Sequence, residues 1–225
     1  MPQQINKKII FYFFLFIILG TFNNKNLDPF TLPKIETLKI YGSEKIDDEF
    51  IRKLEFFKMN NILFVNKFEI KKVLETNNLI EEYKIFKKYP SILEIEIIET
   101  KFLAKTNKDG KTFFVGSNGK FIETKNEIEN LPFIFGDFDI NNFLELKKII
   151  DISKLNFTEI NNLYFFPSGR WDIESLSGIL IKLPNQKIKE SLDLSLDLID
   201  NKKFSNIKII DIRQKNQVII DEQWN

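Results

Sequence analysis

Residues 9–22 form an unbroken run of 14 residues without a charge near the start of the chain. As a helix this run would span about 21 Å, against about 30 Å for the hydrocarbon core of a bilayer. Lys7 and Lys8 precede the run and can reach toward the headgroups, whereas only Lys25 follows closely. The pattern predicts an uncleaved transmembrane anchor with its N-terminus in the cytoplasm. Its apolar positions include Ile9, Phe13, Phe16 and Leu19.

A cleaved signal peptide is the competing interpretation, because the run is short. A cleavage site requires small residues, as in Ala-x-Ala. Phe22 is followed by Asn-Asn-Lys-Asn, without an alanine, and this favours the anchor. We therefore expect a cytoplasmic tail over residues 1–8, the anchor over 9–22, a polar linker over 23–32, and the remaining residues on the far side of the membrane.

The pattern after the linker predicts a compact α+β unit with the order β-α-α-β-β. Alternating residues predict three strands, over 36–41, 80–88 and 93–97. Apolar residues three or four positions apart predict two helices between the first two strands, capped by Asp47 or Asp48 and by Asn66. The helix residues expected to face the core are Phe50, Ile51, Leu54, Phe57, Phe68, Ile70, Val73 and Leu74.

The residues from 105 onward are predicted to form a mainly antiparallel β unit with two helices. Turn signals such as Ser117-Asn118-Gly119 separate short apolar segments. The helices are expected over 142–150, capped by Asn141, and over 188–199. The strands are expected over 112–115, 121–122, 163–166, 171–174, 179–182, 207–213 and 217–220, and 131–136 is either a strand or a buried crossing.

Composition excludes several kinds of chemistry from this 225-residue chain. Lys+Arg is 33 and Asp+Glu is 32, so the net charge is +1, which argues against a dedicated nucleic-acid-binding protein. Cys and His are both 0, so a Cys/His zinc site, a Cys nucleophile, a His general base and a disulfide are impossible. We expect no cofactor, no metal and no small-molecule substrate.

Three sequence features resemble sites, and each has a simpler interpretation. Glu94, Glu96 and Glu99 could bind a hard cation, but on a strand Glu94 and Glu96 share one face while Glu99 points to the other, and a solvated strand face is expected. Gly116–Lys120 lacks the spacing of a phosphate loop. Arg170 and Asp172 are expected on the polar face of a strand. Carboxylate or Lys chemistry and oxygen-only metal sites survive, but nothing here forms a nucleophile–base–orienter set, and this disfavours an enzyme.

A free strand edge is the remaining candidate site, because an edge strand exposes backbone donors and acceptors that a partner's strand can pair with. Gln217–Ile220 is apolar, and no later predicted strand covers it. It is either such a binding edge or an ordinary final strand paired within the sheet, and the residues leave both possibilities open.

Several motifs, taken in order, resemble the FtsQ/DivIB family of bacterial cell-division proteins. Residues 38–42 and 89–97 resemble its POTRA domain, and residues 131–136, 169–173 and 210–219 resemble its β domain. The POTRA motif residues are Gly42, Tyr89, Pro90 and Leu93. The fold implied is α+β, with an N-terminal transmembrane helix, a POTRA domain over 33–104 and a mainly antiparallel β domain over 105–225.

The resemblance also implies a function. It implies a non-enzymatic scaffold of the divisome, held in the inner membrane at the division septum with its bulk in the periplasm. Its partners would be FtsB and FtsL and, through them, the septal peptidoglycan synthase pair FtsW and FtsI. In the family FtsB adds a strand to the last β strand, which here is matched by Arg213, Gln214, Gln217, Val218, Ile219 and Ile220. The alternative is a POTRA-bearing envelope assembly or secretion component that binds polypeptide by strand addition.

Overall fold

Residues 7–22, 33–123, 130–201 and 206–222 are described by the computed structural model of the chain. Helix α1 (Lys7–Phe22) has 16 residues and begins before the uncharged run, because Lys7 and Lys8 extend it. The rest of the expected tail and the expected linker over 23–32 lie outside the described residues. Within the described residues, no helix combines the length and the apolarity needed to cross a membrane.

The first sheet, here called the small sheet, has the predicted β-α-α-β-β order. Its elements are β1 (Thr37–Tyr41), α2 (Asp48–Glu55), a 3₁₀ turn (Phe56–Met59), α3 (Lys67–Glu75), β2 (Ile80–Lys88) and β3 (Ile92–Glu99). β3 lies in the middle, parallel to β1 and antiparallel to β2. Leu93, Ile95 and Ile97 on β3 are buried against the two helices, as their alternation predicts.

Local capping explains where the two helices of this unit begin. The Asp47 side chain accepts a hydrogen bond from the backbone N–H of Phe50 at 3.0 Å, and the Asn66 side chain accepts one from Phe68 at 2.9 Å. Both predicted caps are confirmed. Phe68 was wrongly expected in the core, because it lies about 200° around the helix from the buried Ile70 and is exposed.

The second sheet, here called the large sheet, has nine described strands and two helices. Its strands are β4 (Phe102–Lys108), β5 (Lys111–Gly116), β6 (Phe121–Ile122), β7 (Phe133–Phe135), β8 (Ile160–Phe165), β9 (Trp171–Ser175), β10 (Leu180–Lys182), β11 (Ile207–Asp211) and β12 (Ile219–Glu222). Its helices are α4 (Ile140–Asp151) and α5 (Ile188–Ile199). The spatial order is β12-β11-β10-β9-β8-β7-β4-β5-β6.

Five of the eight pairings in the large sheet are antiparallel, and β4·β7, β7·β8 and β10·β11 are parallel. The predicted α+β class with a mainly antiparallel second sheet is therefore confirmed. The sequence pattern missed β4. This strand directs a polar residue inward, because Thr106 is buried and its hydroxyl donates to the Ile134 carbonyl at 2.9 Å.

Helices α4 and α5 cover one face of the large sheet. Phe143, Leu146 and Ile150 of α4 and Leu192 of α5 are buried in one core with residues from the strands. Strand side chains that alternate with the buried ones, such as Tyr164 and Glu174, lie on the opposite face. α4 begins earlier than predicted, because Asp139 and not Asn141 is the N-cap, accepting from the Asn141 N–H at 2.7 Å.

Candidate partner-binding edge

β12 lies at one end of the large sheet, and among the described strands its only neighbour is β11. Asp211 pairs with Ile219, and Ile210 pairs with Ile220. The backbone groups on the other side of β12 therefore face away from every strand that the structure describes. Such an edge is a template for one more strand.

The strand lies two residues later than the sequence pattern predicted. Gln217 and Val218 precede it, and pairing with β11 begins at Ile219. The reason is the turn before it, where the N–H of Gln217 donates to the Gln214 carbonyl at 3.4 Å and Asn216 has a φ of 62°. Gln217 is thus part of the turn, which is centred on Lys215 and Asn216.

Apolar side chains lie on both faces of this edge. Ile220 packs against the buried residues Ile207, Ile210 and Ile212. Ile219 points away from them and is 53 % exposed, and Val218 is 37 % exposed. A strand added to β12 would therefore pair with its backbone and cover apolar surface in the same step.

Arg213 is held beside the edge by a two-point contact with Asp211. Its Nε donates to Asp211 Oδ1 at 2.8 Å, and its Nη2 donates to Asp211 Oδ2. These hydrogen bonds lower the pKa of the Asp211 carboxyl and raise the pKa of the Arg213 guanidinium. The contact fixes the orientation of the guanidinium at the end of β11. Gln214 follows it in the turn.

A groove of about 530 Å³ crosses the exposed face of the large sheet and ends at Arg213. It is lined by Tyr164, Phe166, Arg170, Asp172, Glu174, Gly178, Leu180, Lys182 and Arg213. The groove combines aromatic rings with three cations and two carboxylates. Arg213 also follows Asp211, which pairs with Ile219, so this end of the groove lies near the start of β12.

Asp172, in this groove, is buried although it lies on the predicted polar face of the strand. Arg170 Nε donates to Asp172 Oδ1 at 3.1 Å. Burial raises the pKa of this carboxyl, against the opposing effect of the Arg170, Arg213 and Lys182 cations. Alternation correctly places Asp172 on the outer face, but it does not reveal that Arg170 packs over the carboxylate there.

Tyr164 and Glu174 form a second polar contact in the groove, which the sequence did not single out. Tyr164 Oη donates to Glu174 Oε2 at 2.6 Å, and Asn162 Nδ2 donates to the same oxygen at 3.0 Å. The bond to Glu174 raises the pKa of Tyr164 to about 12, and the two donors lower the pKa of Glu174. Adjacent strands bring these residues together, and no sequence motif indicates it.

The predicted POTRA motif residues lie at the ends of the small sheet, away from the groove-lining residues. Gly42 follows β1, where a Cβ atom would overlap the carbonyl oxygen of Ile97. Tyr89 and Pro90 form the exposed turn between β2 and β3, and Leu93 is fully buried. Their placement is that of turn and core residues.

Glu94 is buried, which corrects the expectation of a solvated face. It lies on the central strand β3, opposite Phe86 of β2 and Lys39 of β1, and Lys88 Nζ donates to its Oε2 at 2.6 Å. Neighbours on both sides therefore cover it. Among the described residues, no group of three or more acidic side chains is placed to hold a metal ion.

The loop that resembles a phosphate loop joins the two sheets instead. Asn118 Nδ2 donates to the carbonyls of Asn78 at 2.8 Å and Ile80 at 3.2 Å, and Asn78 Nδ2 donates to the Phe121 carbonyl at 3.2 Å. Ser117 Oγ lies 3.1 Å from Thr100 Oγ1. The sequence indicated a turn here but not its contacts across the chain.

Together, a β-α-α-β-β unit and a following sheet with a free last edge define a POTRA-bearing protein with a separate β unit. Two family models match the chain: "POTRA domain, FtsQ-type" over residues 34–100 and "Cell division protein FtsQ/DivIB, C-terminal" over residues 104–213. The chain belongs to the FtsQ/DivIB family of cell-division proteins. This confirms the family indicated by the sequence motifs.

Curated relatives agree with this assignment. The chain is 27 % identical over 226 residues to cell division protein DivIB of Clostridium botulinum (strain Loch Maree / Type A3), covering 92 % of this chain and 86 % of the relative. It is 27 % identical over 196 residues to cell division protein FtsQ of Rickettsia bellii, covering 84 % and 72 %. A solved extracytoplasmic domain of DivIB from Geobacillus stearothermophilus aligns to 42 % of this chain and 86 % of that chain, with a TM-score of 0.33 and 15 % identity, a likeness too low to support a conclusion. The names of the relatives support a role in cell division and favour it over the secretion alternative.

Proposed function

We propose that the chain is a non-enzymatic scaffold of the divisome that takes up an extended segment of FtsB along the free side of β12. FtsL would bind with FtsB, and the assembly would act through them on FtsW and FtsI to control septal peptidoglycan synthesis. The observation that carries the proposal is the open side of β12. On the side away from β11, no described strand pairs with it.

The edge supplies two of the elements that strand addition requires. The backbone N–H and C=O groups of β12 give affinity through hydrogen bonds to the added strand. Exposed side chains on alternate positions give specificity. Val218 and Ile219 favour apolar residues in the added segment. Arg213, at the end of β11, favours an acidic residue where the segment passes the groove.

The proposed location is the inner membrane at the division septum. Helix α1 would be the anchor, with its N-terminus in the cytoplasm and both sheets in the periplasm. Its 16 residues correspond to about 24 Å of helix, and its first two residues, Lys7 and Lys8, can reach toward the headgroups. Local bilayer thinning would supply the remaining length.

An Ile219→Pro variant tests strand addition directly. Proline removes a backbone donor and fixes φ, so we expect binding of a periplasmic FtsB peptide to fall by about tenfold or more. The matched control is Ile219→Thr, which keeps a β-branched residue and its N–H, and it should bind more tightly than the proline variant. Isothermal titration calorimetry gives the affinities, and circular dichroism shows that both variants are folded. Unchanged affinity in a folded Ile219→Pro variant would falsify the proposal.

Arg213→Glu separates charge from backbone pairing. If an acidic residue of the FtsB segment contacts Arg213, this reversal lowers the affinity, and the loss shrinks at high salt. A loss that does not depend on salt would indicate disturbance of the Asp211 contact instead.

In cells, the full chain with a fluorescent tag should form a mid-cell band, and a uniform envelope signal would count against the septal location.

A further inference from the structure

Five large apolar side chains are exposed within thirteen consecutive residues of the small-sheet unit. They are Phe56, Met59, Leu63, Phe64 and Phe68, between 46 and 74 % exposed, and they are here called the apolar cluster. Elsewhere in the described part of that unit and of the large sheet, exposed apolar residues do not recur so densely along the chain. A concentration of this kind marks a surface that contacts something.

The core does not account for the apolar cluster, because the same stretch has its own inward residues. Phe57, Ile62 and Val65 are buried and fix the stretch to the core. Phe56 and Met59 share one face of a 3₁₀ turn, since its period is three residues. The next turn is closed by the N–H of Val65, which donates to the Asn61 carbonyl at 2.8 Å. The outward side chains are therefore presented by ordered turns.

The chain arriving from α1 joins the small-sheet unit beside this stretch. The N–H of Ile62 donates to the Pro33 carbonyl at 3.3 Å, and the N–H of Ile35 donates to the Asn60 carbonyl at 3.0 Å. Residues 60–62 separate Met59 from Leu63, so the chain joins the unit within the cluster. Ten residues, 23–32, connect α1 to Pro33 and can span at most about 36 Å.

Cations surround the apolar cluster. Lys72 Nζ lies 4.6 Å from the ring centroid of Phe68, and Lys87 Nζ donates to the Leu63 carbonyl at 3.4 Å. Lys67 Nζ donates to the Ile85 carbonyl at 2.8 Å. Residues 47–75 hold six Lys and Arg, four Glu and the two Asp at the start of α2, and three of the Glu pair with Lys53, Lys58 and Lys71. Exposed aromatic residues with a cationic rim match an anionic lipid surface.

We propose that the apolar cluster docks on the anionic surface of the bilayer that holds α1. This proposal rests on the proposed anchoring of α1. The tether keeps the cluster close to the bilayer, so a contact that is weak in free solution is sufficient. Docking would set the orientation of the small sheet on the membrane, and through the Asn118 contacts it would also bias the direction in which the β12 edge points.

The absence of cysteine gives a direct test, since any introduced cysteine is unique. The full chain carrying Phe64→Cys is labelled with an environment-sensitive nitrobenzoxadiazole dye and reconstituted in vesicles of phosphatidylcholine with phosphatidylglycerol. The emission should shift to shorter wavelength, and spin-labelled lipid should quench it. Leu176→Cys, an exposed position between β9 and β10, is the matched control and should show neither change.

Charge reversal and flotation separate the possible outcomes. Lys67→Glu combined with Lys72→Glu should reduce quenching of the Phe64 label, and vesicles of phosphatidylcholine alone should also reduce it. If the full chain does not float with vesicles, the anchoring of α1 fails. If it floats but the label at position 64 is not quenched, docking is overturned while anchoring stands. An emission shift that depends on protein concentration and not on lipid would indicate that a second copy of the chain covers the label. That result would also overturn docking.

Discussion

Individual residues in the groove show how neighbouring strands change acid–base behaviour. Glu174 accepts hydrogen bonds from Tyr164 and Asn162, which stabilise its charged form and lower its pKa. The same contact opposes ionisation of Tyr164 and raises its pKa to about 12 from an ordinary value of 10.0. Because the folded-state pKa of Tyr164 lies above the unfolded one, its contribution to stability is complete below pH 10. It is lost as the pH rises from about 10 through about 12.

We expect Tyr164 to ionise later than an unperturbed tyrosine when the protein is titrated with base. The absorbance of tyrosinate at ~295 nm, recorded just after a pH jump and before unfolding, should include a step near pH 12. Tyr164→Phe should remove that step, because it removes the hydroxyl that titrates there. Glu174→Gln should move the step toward pH 10, since it removes the neighbouring charge. An unchanged late step in Tyr164→Phe would contradict the assignment.

At the scale of single elements, the backbone path after β7 depends on one glycine. Gly136 has a φ of 99°, and a Cβ atom there would overlap the carbonyl oxygen of Phe165 on β8. Gly169, in the turn between β8 and β9, also has a positive φ of 78°, but nothing lies within 4 Å of its Cβ position. Comparing the same substitution at the two positions therefore separates the cost of backbone strain from the cost of steric overlap.

Gly136→Ala should destabilise the protein more than Gly169→Ala. Both variants place a side chain in the left-handed region, at a cost of about 1–2 kcal/mol. Gly136→Ala must also displace β8 or its own strand, and the total should exceed about 3 kcal/mol. Urea unfolding followed by circular dichroism measures the difference. Equal losses of unfolding free energy for the two variants would show that the close approach of position 136 to the Phe165 carbonyl oxygen adds nothing to the cost.

Elements defined by local signals were predictable from the sequence, and others were not. Asp47 and Asn66 cap helices because the capping bond is local, and Ile188–Ile199 was predicted with its observed ends. β4 was missed because Thr106 is polar and points inward, where its hydroxyl finds the Ile134 carbonyl. The Ile134 carbonyl on its parallel partner β7 lies 28 residues away, which no local pattern reveals, although its other partner β5 follows directly in a hairpin.

At the scale of the whole molecule, the order of strands and the contact between sheets depend on residues distant in sequence. Hairpins such as β5 and β6 were predictable, since a turn of known type joins them. The parallel pairings of β7 with β4 and β8 were not, because their partners are brought together by long connections. The place of β12 at one end of the described sheet was only one of two possibilities that the residues left open, and the start of that strand was not predictable.

Asn118 is one of the side chains that hydrogen-bond the two sheets to each other, beside Asn78 and Ser117. Asn118 Nδ2 donates to two carbonyls of the small-sheet unit, and its Oδ1 accepts from the Lys120 N–H at 3.1 Å within the loop. Asn118→Asp keeps the acceptor and removes both donors. We therefore expect this variant to widen the range of angles between the sheets.

Distances between spin labels at Phe86→Cys and Leu176→Cys, measured by double electron–electron resonance, should become more broadly distributed in Asn118→Asp. Asn185→Asp is the matched control. It removes the Nδ2 donor to the Ser168 carbonyl within the large-sheet unit, and it should leave the distribution unchanged. A distance distribution in Asn118→Asp as narrow as that of the parent protein would show that other contacts are sufficient to hold the angle between the two sheets.

The charges at the end of β12 have a consequence for protein concentration. In a centred antiparallel pairing of two copies, Asp221 and Glu222 of one strand would lie opposite Ile220 and Ile219 of the other. Each carboxylate would lose water and gain an apolar neighbour, which makes the homotypic pair unfavourable. The strand therefore disfavours pairing with a second copy of itself, whereas its free backbone groups can still pair with a strand of different sequence. We therefore expect that a high protein concentration does not lead to self-association through this edge.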